Sequence, residues 1–388
     1  MKVLLICNYK AGVGGISGQV EMLQRKLREE GHVADIFSTK GSFLWRLGLL
    51  RRLRKVARDY EVLHIHCCSG WGFLPAVVGV TVGKRLGKRV VLTYHGGGGE
   101  RFFAKHTSIV RHYLLRTDAN IVLSGFLGEI FDQYRLPYTI IPNILEFDGS
   151  HYRERTELKP HFICTRAHEA LYNIPCILRA FEKALTELTE TTEKTLTELT
   201  ETTEKALTEK SETIRITQSE LNVVCRRLGR QLSEPISLTE KSGVSLTLVG
   251  DGAEHEALVA MAKEMGLKNV TFTGRVDNSE IYKYLDASDI LLSAPTIDNM
   301  PVSLLEAMNA GLLVISSNVG GVPYMIEDGK TGYLFPSDDS DTLAALMVKA
   351  IQQPSESKDI IHNAHEAVSA YRWENIRQQL YKAYGILT

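Results

Sequence analysis

The chain has 388 residues, of which 44% are hydrophobic and 23% charged, and its formal net charge is −1. This composition excludes a wholly disordered chain, and the length favours two globular domains. The total hides a division, because residues 1–150 hold 21 Lys and Arg against 12 Asp and Glu, a net of +9. Residues 151–388 hold 24 against 34, a net of −10. The protein is therefore a basic part joined to an acidic part.

In the first 150 residues, short apolar runs alternate with segments of helical periodicity. We expect strands at Lys2–Cys7, Val33–Ser38, Val62–His66, Arg89–Tyr94, Asn120–Leu123 and Thr139–Ile141. We expect helices at Gly18–Glu30, Leu44–Arg58, Gly72–Leu86, Ile109–Leu115 and Leu127–Tyr134. This alternation predicts a parallel sheet with helices on both faces.

The same alternation returns after about residue 160. It predicts strands at His161–Cys164, Ser245–Val249, Val270–Thr273, Ile290–Ser293, Val314–Ser316 and Gly332–Leu334. It predicts helices at Ile174–Leu185, Glu254–Met265, Asn278–Leu285, Val302–Ala310, Ser340–Ile351 and Trp373–Tyr384. The sequence thus predicts an α/β protein with two doubly wound, Rossmann-like domains, 1–150 and 151–372, joined through a polar linker at Pro142–Lys159. Residues 373–388 should form a helix that packs back on the first domain.

One segment interrupts this pattern. Ala184–Lys194 reads ALTELTETTEK, Thr195–Lys205 reads TLTELTETTEK, and a third copy begins at Ala206. An 11-residue period places the leucines on one face of a helix, although many β-branched threonines weaken that helix. We interpret 187–241 as a helical insertion in the second domain, either a solvated hairpin or, through 184–241, an oligomer contact.

The N-terminal apolar run is too short for a signal peptide, and no stretch is long enough to span a bilayer. The six cysteines form no C-x-x-C pair. Cys67 and Cys68 beside His64 and His66 suggest either a metal site or the end of a buried strand, and ligand spacing favours the strand. We therefore expect reduced thiols, a cytoplasmic location and no metal site.

The loop after the first strand is rich in glycine. Gly12, Gly14 and Gly18 are spaced somewhat like a dinucleotide fingerprint, and Asp35, placed at the end of the second strand, would bind the ribose. The loop is too long for a dinucleotide turn, so it predicts an anion-binding loop at a helix start more than a nicotinamide site.

A second candidate site is the segment from Asp298 to Glu306, which follows a strand and opens a helix. The loop acid and the helical acid are eight residues apart, so they can hold two groups of one ligand while the free amides of the helix start face a phosphate. Helix capping with an unrelated surface acid is the alternative.

With these residues in view, the chain outside the insertion resembles the retaining glycosyltransferases of family 4, which have the GT-B fold. Their Glu-x7-Glu motif appears as Asp298-x7-Glu306. Other matching pieces follow in order: Gly14-Gly15, Tyr94-His95-Gly96, Ser124, Ile141-Pro142-Asn143, Arg166, Gly250-Asp251-Gly252, Gly274-Arg275-Val276, Gly320-Gly321-Val322-Pro323 and Asp328-Gly329-x-x-Gly332.

The resemblance implies that a nucleoside-diphosphate sugar, of UDP or GDP type, binds the second domain, with no cofactor. It implies catalytic roles for Arg166, Asp298 and His95. It implies donor-binding roles for Gly14, Gly15, Arg275, Val276, Asn299, Met300, Val302 and Glu306. Glu306 would hold the ribose, Asp298 and His95 the sugar, and Arg166 the diphosphate.

The sequence departs from the family pattern at two places. Tyr172-Asn173 stand where many members have Lys-Gly, whose lysine is a second phosphate cation, and Tyr324 replaces the acid after Gly-Gly-Val-Pro. Asp339-Ser340-Asp341 resembles a metal-binding Asp-x-Asp motif, but its place at a helix start predicts capping.

The acceptor is poorly encoded. Residues 43–58 carry six cations and no acid, and include Trp45, Arg51, Arg52 and Arg54. We expect either contact with an anionic membrane surface, which would present a lipid-linked or cell-envelope glycan acceptor, or a sheet-covering helix with a basic outer face. Nothing in this segment is typical of nucleic-acid binding.

The function expected from the sequence is sugar transfer to a hydroxyl group without a metal, in polysaccharide biosynthesis. The alternatives are a nucleotide-sugar epimerase, a phosphorylase, a Rossmann oxidoreductase and a non-catalytic scaffold on the same fold.

Overall fold

The computed structural model describes residues 1–10, 15–42, 48–145, 152–190 and 243–386. Most of the interval 187–241 and part of the linker Pro142–Lys159 therefore lie outside the described residues. The described ranges form two six-stranded sheets, and every strand pairing within each sheet is parallel.

The first sheet has the strand order β2-β1-β3-β4-β5-β6. Its strands are β1 (Lys2–Cys7), β2 (Val33–Ser38), β3 (Val62–Cys67), β4 (Arg89–Tyr94), β5 (Ala119–Val122) and β6 (Thr139–Ile140). Its helices are α1 (Ile16–Glu29), α2 (Leu49–Ala57), α3 (Leu74–Arg85), α4 (Gly99–Leu114) and α5 (Gly125–Gln133). The central strands are buried on both faces, as a parallel sheet covered by helices requires.

The second sheet has the order β12-β11-β10-β7-β8-β9. Its strands are β7 (His161–Cys164), β8 (Ser245–Val249), β9 (Val270–Gly274), β10 (Ile290–Ser293), β11 (Leu313–Ser317) and β12 (Tyr333–Phe335). Residues 174–190 form α6, as far as they are described. The later helices are α7 (His255–Glu264), α8 (Ile281–Asp286), α9 (Val302–Asn309), α10 (Ser340–Gln352), α11 (Pro354–Ala367) and α12 (Trp373–Tyr384). The predicted α/β class with two doubly wound parallel sheets is confirmed.

Helix α12 crosses from the second sheet to the first. Trp373, Ile376 and Leu380 are buried in one apolar cluster with Val3 and Leu5 of β1. The covering of the first sheet is therefore completed by the end of the chain, and apolar burial joins the two parts.

The sequence placed three features wrongly. Helix α4 begins at Gly99 and not at Ile109, because a kink at His106 interrupts the periodicity. Helix α11 was not predicted; it begins at Pro354, and proline is tolerated in the first turn of a helix. Asp35 lies within β2 and not at its end. Its carboxylate accepts hydrogen bonds from Arg28 Nη2 at 2.8 Å and from the Tyr60 hydroxyl at 2.7 Å.

Candidate functional site

A cleft of about 870 Å³ lies between the two domains. The carboxyl ends of β4, β7, β8 and β9 all open into it, which is the usual place for a ligand in open α/β sheets. The proposed site residues that line it are Gly15, His95, Arg166, Arg275, Val276, Asp298, Met300, Val302 and Glu306. One cavity thus gathers residues that are far apart in sequence.

Arg166, which follows β7, lies on the wall formed by the second domain. Its Nη1 donates to Ser303 Oγ at 3.0 Å, and its Nη2 donates to the carboxylate of Asp298. Its Nε is buried and has no hydrogen-bond partner among the described residues. The guanidinium is therefore fixed on two sides and faces a cavity that holds the carboxylates of Asp298 and Glu306.

Tyr172 lies against the same guanidinium. The centre of its ring is 4.1 Å from the Arg166 carbon Cζ, a cation–π arrangement. The ring is presented by a short turn in which Asn173 adopts a left-handed conformation, with φ at 46°. The Asn173 amide donates to Asp338 at 2.9 Å, which holds the turn in place. An aromatic ring thus stands at the position where the resemblance led us to expect a second phosphate cation.

Glu306 lies one turn into α9. Burial raises the pKa of its carboxyl to about 7, and the nearby Arg166 acts in the opposite direction. Its carboxyl therefore changes charge near neutral pH, and an incoming hydroxyl donor would favour the ionised form.

The loop from Asp298 to Pro301 is held by residues of the first domain. Ser124, at the start of α5, donates to Asn299 Oδ1 at 2.6 Å. Asn143 donates from its backbone to Met300 Sδ at 3.1 Å and from its amide to the Met300 carbonyl at 3.2 Å. Asn299 is consequently turned away from the cleft and does not line it, unlike the other proposed donor-binding residues described here.

Two glycines allow this loop to pack closely. A Cβ at Gly320 would lie 1.9 Å from the carbonyl oxygen of Asp298, and one at Gly321 would lie 1.8 Å from that of Asn299. The backbone of the loop therefore rests directly on the glycine pair, which explains why side chains are excluded there.

His95 enters the cleft from the first domain, directly after β4. Its Nε2 lies 3.0 Å from Nδ1 of His66. Burial lowers the pKa of His95 to about 4, so the ring is neutral at physiological pH.

The remaining proposed residues have other settings. Gly14 and Trp45 lie outside the described residues. Arg51, Arg52 and Arg54 are exposed on α2, whose Leu49 and Leu53 are buried in the core below. Helix α2 therefore covers the first sheet and presents a basic outer face.

Two cations of the first domain outside α2 take part in contacts within the protein. Lys84 pairs with Asp118 (2.7 Å), and Arg89 donates to the Ala383 carbonyl (2.8 Å), so it serves the contact with α12. Within the described residues no helix is long and apolar enough to cross a membrane.

Metal ligands do not gather in the described ranges, where no group of three or more His, Cys, Asp and Glu side chains could hold an ion. Asp339 accepts from the backbone amides of Asp341 and Thr342 and so caps α10.

The structure also identifies contributors that the sequence left without a role. Ser303 lies inside the Asp298-x7-Glu306 interval, and Tyr172 was noted only as a departure from the family pattern. Ser124 and Asn143 were recognised as motif pieces, but contacts between the domains cannot be read from spacing.

Comparison with known proteins gives two family matches. Residues 25–148 match the model described as Glycosyltransferase Family 4, and residues 228–367 match the model described as Glycosyl transferases group 1. The matches do not overlap, and together they span more than half of the chain. The chain belongs to the family 4 glycosyltransferases.

Curated relatives of this family 4 chain match over a limited part. N-acetyl-alpha-D-glucosaminyl L-malate synthase of Bacillus anthracis is 32% identical over 34% of this chain and 35% of its own length. Phosphatidyl-myo-inositol mannosyltransferase of Mycobacterium leprae is 29% identical over 36% of this chain and 37% of its own length. The matched stretches thus span about a third of these relatives.

Solved structures extend the likeness in fold to the whole chain. HepE of Anabaena, in complex with UDP-glucose, has a TM-score of 0.70 at 16% identity and covers 100% of both chains. Sucrose-phosphate synthase of Thermosynechococcus elongatus has a TM-score of 0.69 at 17% identity, with 99% and 98% covered. The GT-B fold expected from the resemblance is confirmed.

Proposed function

We propose that this chain is a retaining glycosyltransferase that moves a sugar from a nucleoside-diphosphate sugar to a hydroxyl acceptor, without a metal ion. The observation that carries the proposal is the wall of the cleft formed by Arg166, Asp298 and Glu306. It combines one fixed cation with two carboxylates, and the start of α9 lies between the two acids along the chain.

The cation and the helix start serve the leaving group. Departure of a nucleoside diphosphate develops negative charge, and a guanidinium with helix amides can stabilise that charge without a metal. Arg166 donates to the Asp298 carboxylate, so a bound diphosphate would share the arginine with this carboxylate. The acceptor proton would pass to the departing phosphate on the same face, and we assign no protein nucleophile.

The two carboxylates serve the donor's hydroxyl groups. Glu306 would accept from the ribose, and Asp298, whose carboxylate can accept from more than one donor, would accept from the transferred sugar while it holds Arg166. Arg275 and Val276, at the end of β9, would border the base, and His95 would meet the sugar from the first domain.

The acceptor would approach the first domain. Helix α2 presents Arg51, Arg52 and Arg54 beside the exposed apolar side chains of Leu50 and Val56. This mixture suits the surface of an anionic membrane, with apolar side chains among the lipid headgroups and cations beside phosphates. We propose a lipid-linked or cell-envelope glycan acceptor, presented at the cytoplasmic face of a membrane. The oligomer contact through 184–241 stays a prediction.

A panel of UDP-, GDP- and ADP-sugars tests the proposed reaction. The purified chain is incubated with each donor, and nucleoside diphosphate release is followed with and without extracts containing lipid-linked glycans. We expect release with one donor class, loss of release in Glu306→Ala, and unchanged release in Glu264→Ala, whose side chain is exposed on α7. The anomeric configuration of the product, read by NMR, tests retention.

The outcomes separate the alternatives. Conversion of the donor to an isomer without diphosphate release would instead assign an epimerase. Binding of a donor with neither release nor conversion would assign a scaffold, and full activity in Glu306→Ala would overturn the site.

A further inference from the structure

Behind the cleft, three histidines form a buried row. His64 and His66 are two residues apart on β3 and so lie on the same face of the sheet, and their ring centres are 4.2 Å apart. His64 is held by the hydroxyls of Tyr384 and Thr93, both at 2.8 Å. Among the described residues the hydrogen-bond partner of the His66 ring is His95, through Nδ1 of His66 and Nε2 of His95 at 3.0 Å.

All three rings are neutral. Burial lowers the pKa of His64 to about 3 and of His95 to about 4, and it lowers that of His66 well below its ordinary value. A neutral imidazole carries one N–H. A single proton therefore lies between His66 Nδ1 and His95 Nε2, and its position decides whether the other nitrogen of His95, Nδ1, is a donor or an acceptor for a ligand.

The surroundings of His66 indicate where that proton lies. Its Nε2 is buried and has no partner in the described part of the chain. An unpaired buried acceptor is tolerated more often than an unpaired N–H, so the proton of His66 belongs on Nδ1, where it donates to His95.

We propose that His66 is a positioning residue that fixes His95 in the tautomer with its proton on Nδ1. Nε2 of His95 is occupied by His66, so Nδ1 is the ring nitrogen that remains for a ligand. His95 then offers a permanent N–H donor to an oxygen of the donor sugar, with its ring orientation set from behind. This role in sugar binding rests on the proposed function, whereas the tautomer itself does not.

Nitrogen-15 NMR of histidine-labelled protein tests the tautomer. We expect Nδ1 of His95 to give a pyrrole-type signal and Nε2 a pyridine-type signal. In His66→Asn the tautomer of His95 should stay the same, because the asparagine amide can still donate to Nε2. In His66→Leu this donor is lost, and the tautomer of His95 should no longer be fixed. A pyridine-type Nδ1 in the unmodified protein would overturn the proposal.

Kinetics tests the consequence for the sugar. His66→Leu should lower kcat for the donor that the panel identifies by about tenfold, with less effect on KM, and His66→Asn should restore most of it. Thr93→Val is the matched control, because it removes a buried bond to His64 and leaves His66 and His95 in contact. An equal decrease in kcat in Thr93→Val and His66→Leu would show that His66 contributes only to packing. If no donor is turned over, the NMR result still decides the tautomer.

Discussion

The Arg166 guanidinium lies 4.1 Å from the centre of the Tyr172 ring. The residue that replaces the family lysine thus supports the remaining cation instead of adding a second one. The diphosphate would meet one arginine whose position is fixed by a ring, a hydroxyl and a carboxylate.

Removing the ring should loosen Arg166. Tyr172→Ala should weaken nucleoside diphosphate binding about fivefold, which corresponds to about 1 kcal/mol for a partly buried cation–π contact. Isothermal titration calorimetry measures this affinity. Tyr172→Phe keeps the aromatic face and should bind as the unmodified protein does, and equal affinity in all three proteins would show that the ring does not support the arginine.

Glu306 should make the stability of the ligand-free protein depend on pH. The pKa of Glu306 is raised to about 7 in the folded state. Between the ordinary pKa of a glutamate and this value, the folded protein keeps a proton that the unfolded chain has already released. The free energy of unfolding therefore falls as pH rises through this interval, by about 1–2 kcal/mol, less than the full shift since the carboxyl borders the cleft.

Glu306→Gln should remove this fall in the free energy of unfolding with rising pH. Its thermal midpoint relative to the unmodified protein should rise between pH 5 and pH 8 by about 2–4 °C. Differential scanning fluorimetry measures the midpoints, with the exposed Glu264→Gln as the control. A difference that stays constant with pH would contradict the role of burial at Glu306.

The glycine pair should be essential for the loop that carries Asp298. In Gly321→Ala the new methyl would lie 1.8 Å from the Asn299 carbonyl oxygen, so the loop must shift. We expect nucleoside diphosphate affinity to fall about tenfold or more and the thermal midpoint to drop by a few degrees. Gly98→Ala, whose nearest neighbour would be 3.9 Å away, should change neither, and normal binding by Gly321→Ala would show that the loop tolerates displacement.

Reversing charge on α2 should detach the chain from anionic vesicles. A variant with Arg51, Arg52 and Arg54 changed to Glu should lose most of its flotation with vesicles of phosphatidylglycerol, because each surface cation contributes about 1 kcal/mol. Raised salt should weaken the flotation of the unmodified protein in the same way.

The matched control reverses three exposed lysines of the second domain, Lys263, Lys268 and Lys358. It changes the net charge equally and should float as the unmodified protein does. Equal flotation of both variants would remove the membrane proposal.

The sequence predicted an element correctly where the residues of that element themselves carry a clear apolar or helical pattern. The strands β1, β4, β7 and β10 lie where their apolar runs predicted them, because strands of a parallel sheet that are buried on both faces must be apolar throughout. The start of α4 was predicted ten residues too late, since four glycines and a kink carry no helical periodicity.

The sequence by itself determined the alternation of strands and helices, the family resemblance and the spacing of Asp298 and Glu306, because these depend on neighbours along the chain. Only the tertiary structure decided that Tyr172 supports Arg166, that Ser124 turns Asn299 out of the cleft, and that His66 stands behind His95. Those contacts join segments far apart in sequence, and their geometry follows from how the two sheets and the covering helices pack.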